Sequence, residues 1–367
     1  MEAPASSSSP SDPPRPRHVR LEGGQIVPVD YVFNGAAASQ ADVYEAADPI
    51  VQRFCDGHNA TLLAYGQTGS GKTYTMGTHL ETYRMAQLVR DEAADAYGLI
   101  PRAVQAILAR MDGAMRDRPG YRFRMTARFL ELYNEDLVDL LALRPDAHTC
   151  TASGAAALSP SSRPRLSVRE DAAKNILVQG CRTVTIAALE DIIEVLVTGL
   201  TDRQTSRTDM NESSSRSHAI LTLELTQWTP LQGQASRAAP GGGAEAVVTS
   251  KLHFVDLAGS ERLKRTGATG DRQREGIAIN GGLLALSNVI SALAQASAAA
   301  AAASGTDRSG VPSATHIPYR RSKLTRVLQD SLGGDSHALL LACVSPAAAD
   351  LPETRNTLAF ACRGRRI

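Results

Sequence analysis

The chain has 367 residues, with 39 Lys and Arg against 38 Asp and Glu, so its net charge of +1 excludes whole-molecule attraction to a polyanion. Any basic face has to be local. Hydrophobic residues make up 43 % but aromatics only 4 %, which predicts a core built from Leu, Val, Ile and Ala. Five scattered cysteines (Cys55, Cys150, Cys181, Cys343, Cys362) lack metal-ligand spacing, argue against a disulfide framework and fit a reducing compartment. No run of about 18 apolar residues is present, so no membrane span is expected, and the N-terminus lacks the apolar core of a secretory signal.

In chain order, residues 1–17 are Ser- and Pro-rich and are predicted disordered, because they cannot bury apolar surface. The remainder, 18–367, reads as one domain carrying three loop insertions. Ala60–Tyr65 is a short apolar run ending at a glycine, hence a buried strand, and Thr73 opens a helix. Tyr121–Tyr133 begins with alternation and reads as a strand. Pro, Ser, Thr and Ala mark the first insertion at about 143–164. Leu189, Ile192, Ile193, Val195, Leu196 and Leu200 recur at helical spacing. Ala219–Leu225 and Leu252–Leu257 read as strands on either side of a second insertion, about 228–246, which contains Pro240 and three glycines. Glu275–Ala294 is helical in pattern despite Gly281 and Gly282, each costing about 1 kcal/mol relative to Ala. An Ala tract opens the third insertion, about 296–314. His337–Val344 reads as a strand and Glu353–Ala361 as the last helix. Such alternation predicts an α/β fold with a central mixed sheet and helices on both faces.

The chemistry concentrates in three segments. Gly66-Gln67-Thr68-Gly69-Ser70-Gly71-Lys72-Thr73 follows a strand and opens a helix, the context a phosphate-binding loop requires. Its glycines let backbone N–H groups turn toward phosphate oxygens, Lys72 neutralises the β- and γ-phosphates, and the Thr73 hydroxyl can ligate Mg2+. Asn211-Glu212-Ser213-Ser214-Ser215-Arg216-Ser217-His218 packs hydroxyls and a guanidinium before a strand; alone it would be an ordinary capping turn. Asp256-Leu257-Ala258-Gly259-Ser260-Glu261 ends an apolar strand, where Asp256 can hold Mg2+ through water and Gly259 can offer its N–H to the γ-phosphate. No Asn-Lys-x-Asp motif for guanine is present, which argues against a GTPase.

These three motifs, in this order, resemble those of kinesin motor domains. Gly98-Leu99-Ile100-Pro101-Arg102, Glu131–Leu137, Ile317–Thr325, Gln329–Gly334 and Glu353–Ala361 extend the resemblance over residues 29–367. Glu275–Leu284 and Ser336–Pro346 look most like the chromokinesin branch. The resemblance implies a P-loop NTPase-type sheet and a microtubule-stimulated ATPase acting on ATP with Mg2+. It implies a cytoplasmic, cytoskeletal location, with spindle or nucleus as further sites, and neither membrane nor nucleic acid as partner. Gly66–Thr73 and Tyr74 would hold the nucleotide. Thr73 and Ser215 would coordinate Mg2+, with Asp256 in the outer shell. Ser214 would place the attacking water, and Arg216 would pair with Glu261, which relays a proton. Lys264, Arg265, Arg320, Arg321, Lys323 and Arg326 would meet the acidic microtubule. Residues 316–367 hold eight Lys/Arg against four Asp/Glu, a local +4 in a chain whose remainder carries −3.

Three departures stand out. Nothing matches the family's opening apolar strand and its Arg-x-Arg-Pro segment, so unpaired backbone groups are expected inside the sheet, and a microtubule-binding module with impaired turnover is the alternative reading. Gly281 occupies a position usually Lys or Arg, and Arg321 one usually Asp. Residues 1–367 contain no heptad or cargo segment, so direction, dimerisation and cargo are not legible in them.

Overall fold

The computed structural model describes residues 17–34, 38–83, 96–142, 165–172, 175–205, 214–231, 245–261, 271–303 and 316–367. The described chain opens with a hairpin of β1 (Arg17–Arg20) and β2 (Ile26–Val29), so strand structure starts at residue 17 and not after it. Helix α1 (Gln40–Cys55) starts at a capping box, in which the Ser39 hydroxyl accepts from the Asp42 N–H and the Asp42 carboxylate accepts from the Ser39 N–H. The sequence reading had no element here. Strand β3 (Ala60–Tyr65) and the short helix α2 (Lys72–Met76) flank the glycine-rich loop; Gly77, at φ +80°, ends α2 after five residues. Next come α3 (Leu99–Asp117), β4 (Arg122–Tyr133), β5 (Asp136–Asp139), a hairpin of β6 (Ser167–Glu170) and β7 (Ile176–Gln179), β8 (Val184–Ile186) and α4 (Leu189–Thr205).

Strands β9 (His218–Pro230) and β10 (Glu245–Asp256) pair antiparallel along their whole length, from Glu245 opposite Pro230 to Asp256 opposite Ala219. The expected insertion at 228–246 is therefore narrower than read, because its ends belong to this hairpin. Helix α5 (Asp271–Ala303) likewise runs into the expected third insertion, since Ala is the strongest helix former. The short helix α6 (Lys323–Val327), β11 (His337–Ala342) and α7 (Leu351–Gly364) complete the chain. The expected insertion at 143–164 lies outside the described residues.

The main sheet runs β11-β3-β10-β9-β4-β5, with β8 also on β4. Strands β11, β3 and β10 are parallel and the others antiparallel, as the mixed α/β expectation requires. Successive side chains of β3 enter opposite cores: Leu62 and Ala64 pack with α1, α3 and α4, whereas Leu63 and Tyr65 pack with α5, α6 and α7. Both faces of the sheet are thus covered, which explains the unbroken apolar run read in the sequence.

The described sheet has no interior gap, which corrects the expected defect. Its open groups fall at the β11 margin. His337 N–H donates to Asn59 O and Cys343 N–H to Tyr65 O, so alternation turns Ala338, Leu340 and Ala342 outward, where no partner strand is described. Tyr31, Val32 and Phe33 form no strand and are exposed.

Gly276–Ala299 of α5 is, by length and composition, apolar enough to cross a membrane, contrary to the sequence expectation. Its polar residues are uncharged and do not lower the hydropathy enough. Ile279, Leu283, Leu286, Val289 and Ile290 are buried in this fold, several of them against the sheet, which accounts for the apolar stripe.

Candidate active site

The phosphate loop hangs between β3 and β10. At Gly66 (φ +156°) a Cβ would collide with the Cys343 carbonyl oxygen, so β11 packs against the loop closely enough to require glycine. Gly69 and Gly71 also have positive φ, which sets the loop's turn. Lys72 is buried, and its Nζ donates to the carbonyls of Gly66 (2.9 Å) and Gln67 (2.8 Å). Burial pushes its pKa below the ordinary lysine value, against the opposing pull of Asp256 and Glu261. The Tyr74 ring is exposed, while its carbonyl accepts from Gln40 Nε2 at 2.8 Å.

At the end of β10, Asp256 is buried beneath the loop. Its Oδ2 accepts from Thr73 Oγ1 and from Thr78 Oγ1, each at 2.8 Å. Its Oδ1 is buried with no hydrogen-bond partner among the described residues. A buried carboxylate oxygen is costly to leave bare unless a cation, a donor or an ordered water meets it. The Thr73 hydroxyl spends its proton on Asp256 and keeps lone pairs for a metal. This donor set, all hard oxygen, fits Mg2+.

Residues 257–261 then cross-connect the site. Gly259 N–H donates to Ser215 O (2.7 Å), Ser260 N–H to Gly66 O (3.1 Å), and Ala258 N–H to His218 Nδ1 (3.0 Å). Thr68 donates to both Glu261 carboxylate oxygens, from its N–H (2.9 Å) and its Oγ1 (2.6 Å). A Cβ on Gly259 would strike that carboxylate and the Thr68 hydroxyl. Ser214–Arg216 forms a single 3-10 turn before β9.

The three sequence motifs are therefore brought to one place. Asn211, Glu212 and Ser213 lie outside the described residues, as does the Ser214 side chain. Glu261 is engaged by Thr68 of the phosphate loop. Sequence reasoning missed Thr68 as the partner of Glu261, Thr78 as the second donor to Asp256, and His218 as the acceptor of the Ala258 N–H.

The turn behind the loop is tied down by a buried network. Arg203 of α4 donates to Ser217 O (2.9 Å) and Ser217 Oγ (3.0 Å) and pairs with Glu131 of β4 (3.3 Å), while Ser217 Oγ donates to Glu131 at 2.5 Å. All three are almost fully buried.

Beside β5 and β6, Arg320, Arg321, Lys323 and Arg326 line a cavity of about 550 Å3 with Glu135. Arg326 pairs with Glu170 at 2.9 Å and Lys323 with Asp136 at 3.4 Å, while Arg320 lies 3.9 Å from Glu170. Arg321 is exposed and makes no ion pair among the described residues. Lys264 and Arg265 lie outside the described residues.

A phosphate loop on a parallel strand, an Asp ending the neighbouring strand and two cross-bonded segments over the loop define a P-loop nucleotide-binding domain of the switch type. The kinesin motor domain profile matches residues 20–367. The chain belongs to the kinesin motor domain family. Among relatives, it is 41 % identical over 355 residues to the kinesin-like protein KIF21B of Mus musculus, covering 92 % of this chain and 19 % of the relative. It is 40 % identical over 338 residues to the chromosome-associated kinesin KIF4 of Mus musculus, covering 92 % and 23 %. Among solved structures, a fast kinesin superposes with TM-score 0.70 at 31 % identity, covering 95 % of this chain and 82 % of that one. A KIF14 dimer with AMP-PNP on a microtubule gives 0.71 at 32 %, covering 95 % and 86 %. This chain spans about a fifth of the length of these curated relatives. They include KIF21, KIF27 and KIF4 proteins, so the likeness is spread across branches.

Proposed function

We propose that this chain is an ATP-dependent microtubule motor domain that hydrolyses ATP to ADP and phosphate and converts γ-phosphate sensing into microtubule binding and movement. The observation that carries this reading is the convergence on the phosphate loop of Asp256, Gly259 and Glu261, with Gly259 already bonded to Ser215. The alternative, a microtubule-binding module with impaired turnover, is less well supported, because the described loop, the Asp256 carboxylate and the cross-bonds between the two segments are all in place.

Lys72 sits where its charge meets the β- and γ-phosphates. Mg2+ would be held by Thr73 and Ser215, with Asp256 behind, and would neutralise phosphate charge. Ser214 orients the attacking water, and Arg216 pairs with Glu261, which takes the proton through a second water. Phosphoryl transfer asks mainly for positioning and charge stabilisation, which a rigid loop on a buried sheet supplies. Gly259 exchanges the Ser215 carbonyl for a γ-phosphate oxygen, and α5, which follows this segment, carries the change outward. Arg320, Arg321, Lys323 and Arg326, with Lys264 and Arg265, form the local basic face toward acidic tubulin. Cytoplasmic microtubules are the expected location, with spindle or nucleus as further sites. The chromokinesin tendency rests on Glu275–Leu284 and Ser336–Pro346 and is supported by the likeness to KIF4.

The test is ATP turnover with and without microtubules. Strong stimulation is expected, and Lys72→Ala abolishes it; equal rates with and without microtubules would overturn the motor reading.

A further inference from the structure

The geometry points to His218 as a positioning residue for γ-phosphate detection, a role that rests on the motor reading above: its Nδ1 pins Ala258 while the next peptide N–H, that of Gly259, is left to choose between two acceptors.

His218 is the first residue of β9 and is almost fully buried. It sits on the α5 side of the sheet, two residues before Ile220, which packs with Leu283 and Leu286 of α5. Nδ1 accepts the Ala258 N–H at 3.0 Å, which places the ring proton on Nε2. Burial, then the charges of Arg203 and Lys72, hold the ring neutral, so Nδ1 stays an acceptor at every physiological pH.

Two adjacent peptide groups thus have different fates. Ala258 N–H is held by a buried ring whose backbone is paired to Leu132 of β4, while the next residue, Ala219, is paired to Asp256 of β10 as well. Gly259 N–H is held by the carbonyl of Ser215, in the single-turn segment that precedes β9. A phosphate oxygen can compete for the second bond and not for the first. The imidazole makes the Ala258 N–H a fixed pivot, and rotation about the Gly259 N–Cα and preceding bonds becomes the response. Glycine at 259 keeps that rotation free of a Cβ clash with Glu261 and Thr68.

The same ring reaches α5. A Cβ placed on Gly282 would stand 3.9 Å from His218 Nε2 and 3.6 Å from Glu135 Oε1, and Glu135 Oε2 accepts the Lys323 N–H at 2.7 Å. The ring therefore faces Gly282 of the helix that must move across a gap the size of one added Cβ, and Glu135, beside the same gap, bonds the basic face.

The test compares His218→Asn, whose Oδ1 can replace the Nδ1 acceptor, with His218→Gln, whose acceptor lies one bond farther out, and with His218→Phe, which has none. Binding of a fluorescent ADP analogue, single-turnover ATP hydrolysis and microtubule-stimulated kcat and KM are measured on the full chain, with thermal midpoints recorded. Expected are ADP affinities within about threefold of wild type for all folded variants. His218→Gln and His218→Phe lose at least tenfold in single-turnover hydrolysis and in kcat with little change in KM, and His218→Asn recovers to within threefold of wild type. If His218→Phe fails to fold, the Asn and Gln pair decides alone. Wild-type hydrolysis in His218→Gln, or an equal loss in Asn and Gln accompanied by weaker ADP binding, overturns the proposal. Absence of microtubule stimulation in wild type instead overturns the motor reading, while single-turnover hydrolysis still reports on His218.

Discussion

Asp256 Oδ2 accepts two hydroxyl protons at once, from Thr73 and from Thr78, each at 2.8 Å, while its Oδ1 has no partner among the described residues. The first bond links β10 to α2 and orients Thr73; the second holds the residue just beyond α2. The remaining oxygen is the buried negative charge that a divalent cation's shell would satisfy. Asp256→Asn replaces one carboxylate oxygen with an N–H2 group, which cannot accept. The variant is expected to fold, because one amide oxygen still serves the hydroxyls. Its Mg2+-dependent ATP affinity should fall about 10- to 100-fold, the usual loss on removing an outer-shell partner of a metal. Titrating ATP binding with and without Mg2+ checks this; an equal loss in both arms would remove Asp256 from the metal's shell.

Gly259→Ala should separate binding from turnover. The added Cβ meets the Glu261 carboxylate and the Thr68 hydroxyl, both ends of the contact that closes residues 257–261 onto the phosphate loop. The Gly259 N–H itself is retained. ADP affinity is expected within a few-fold of wild type and hydrolysis down by about 10²-fold, the scale of misplacing a reacting group by an ångström. Single-turnover hydrolysis beside equilibrium ADP binding measures the two. Undiminished hydrolysis would show that the contact has no part in turnover.

Much of this arrangement was legible in the sequence, for a physical reason. Glycines at positive φ, a lysine and a hydroxyl after an apolar run leave few alternatives to a phosphate loop, and Asp256 closes an apolar strand as plainly. Partners of the loop were not legible. Thr68 and Glu261 are 193 residues apart, and nothing local to Thr68 distinguishes it from other loop hydroxyls. Helices α1 and α3 have no counterpart in the sequence reading because their apolar positions are interleaved with alanine and with exposed polar residues. The strand defect was misplaced for a different reason: a missing strand says nothing about order within the sheet, and the parallel pairing of β11 with β3 puts the open groups at the margin.

Acid should destabilise the fold through His218. Its pKa is pushed down to about 3, first by burial, then by Arg203 and Lys72, from an ordinary 6.5. A group neutral in the fold and protonated when unfolded gives the unfolded state the extra proton. Stability is therefore full above pH 6.5 and falls as pH drops through the window between 6.5 and 3, by up to about 1.4 kcal/mol per pH unit. Thermal midpoints of wild type and His218→Asn between pH 8 and about pH 4.5 test the sign. The wild type should lose more than the variant on acidification, and parallel curves would assign the acid sensitivity elsewhere.

The last prediction concerns Gly281, the exposed position in α5 where the family usually carries a cation. A Cβ there meets nothing within 4 Å, and no positive φ marks the residue, so a side chain can be added without strain. Glycine inside an exposed helix costs roughly 0.5–1 kcal/mol relative to a good helix former, and Lys is one. Gly281→Lys should thus stabilise α5 by that amount while projecting a charge from the helix that follows the Asp256–Glu261 segment. Against an acidic surface one exposed cation is worth about 0.2–1 kcal/mol, so microtubule affinity should rise by up to about fivefold at low salt. Arg321→Asp should do the reverse, since Arg321 makes no ion pair among the described residues and its loss frees no internal carboxylate. Both shifts should shrink as ionic strength rises and the Debye length falls. Cosedimentation across a salt series, read beside the thermal midpoints, separates the two contributions of Gly281→Lys: stabilisation survives high salt, while the gain in binding does not. A gain in affinity that ignores salt would mean that helix order, and not charge, was what the glycine had cost.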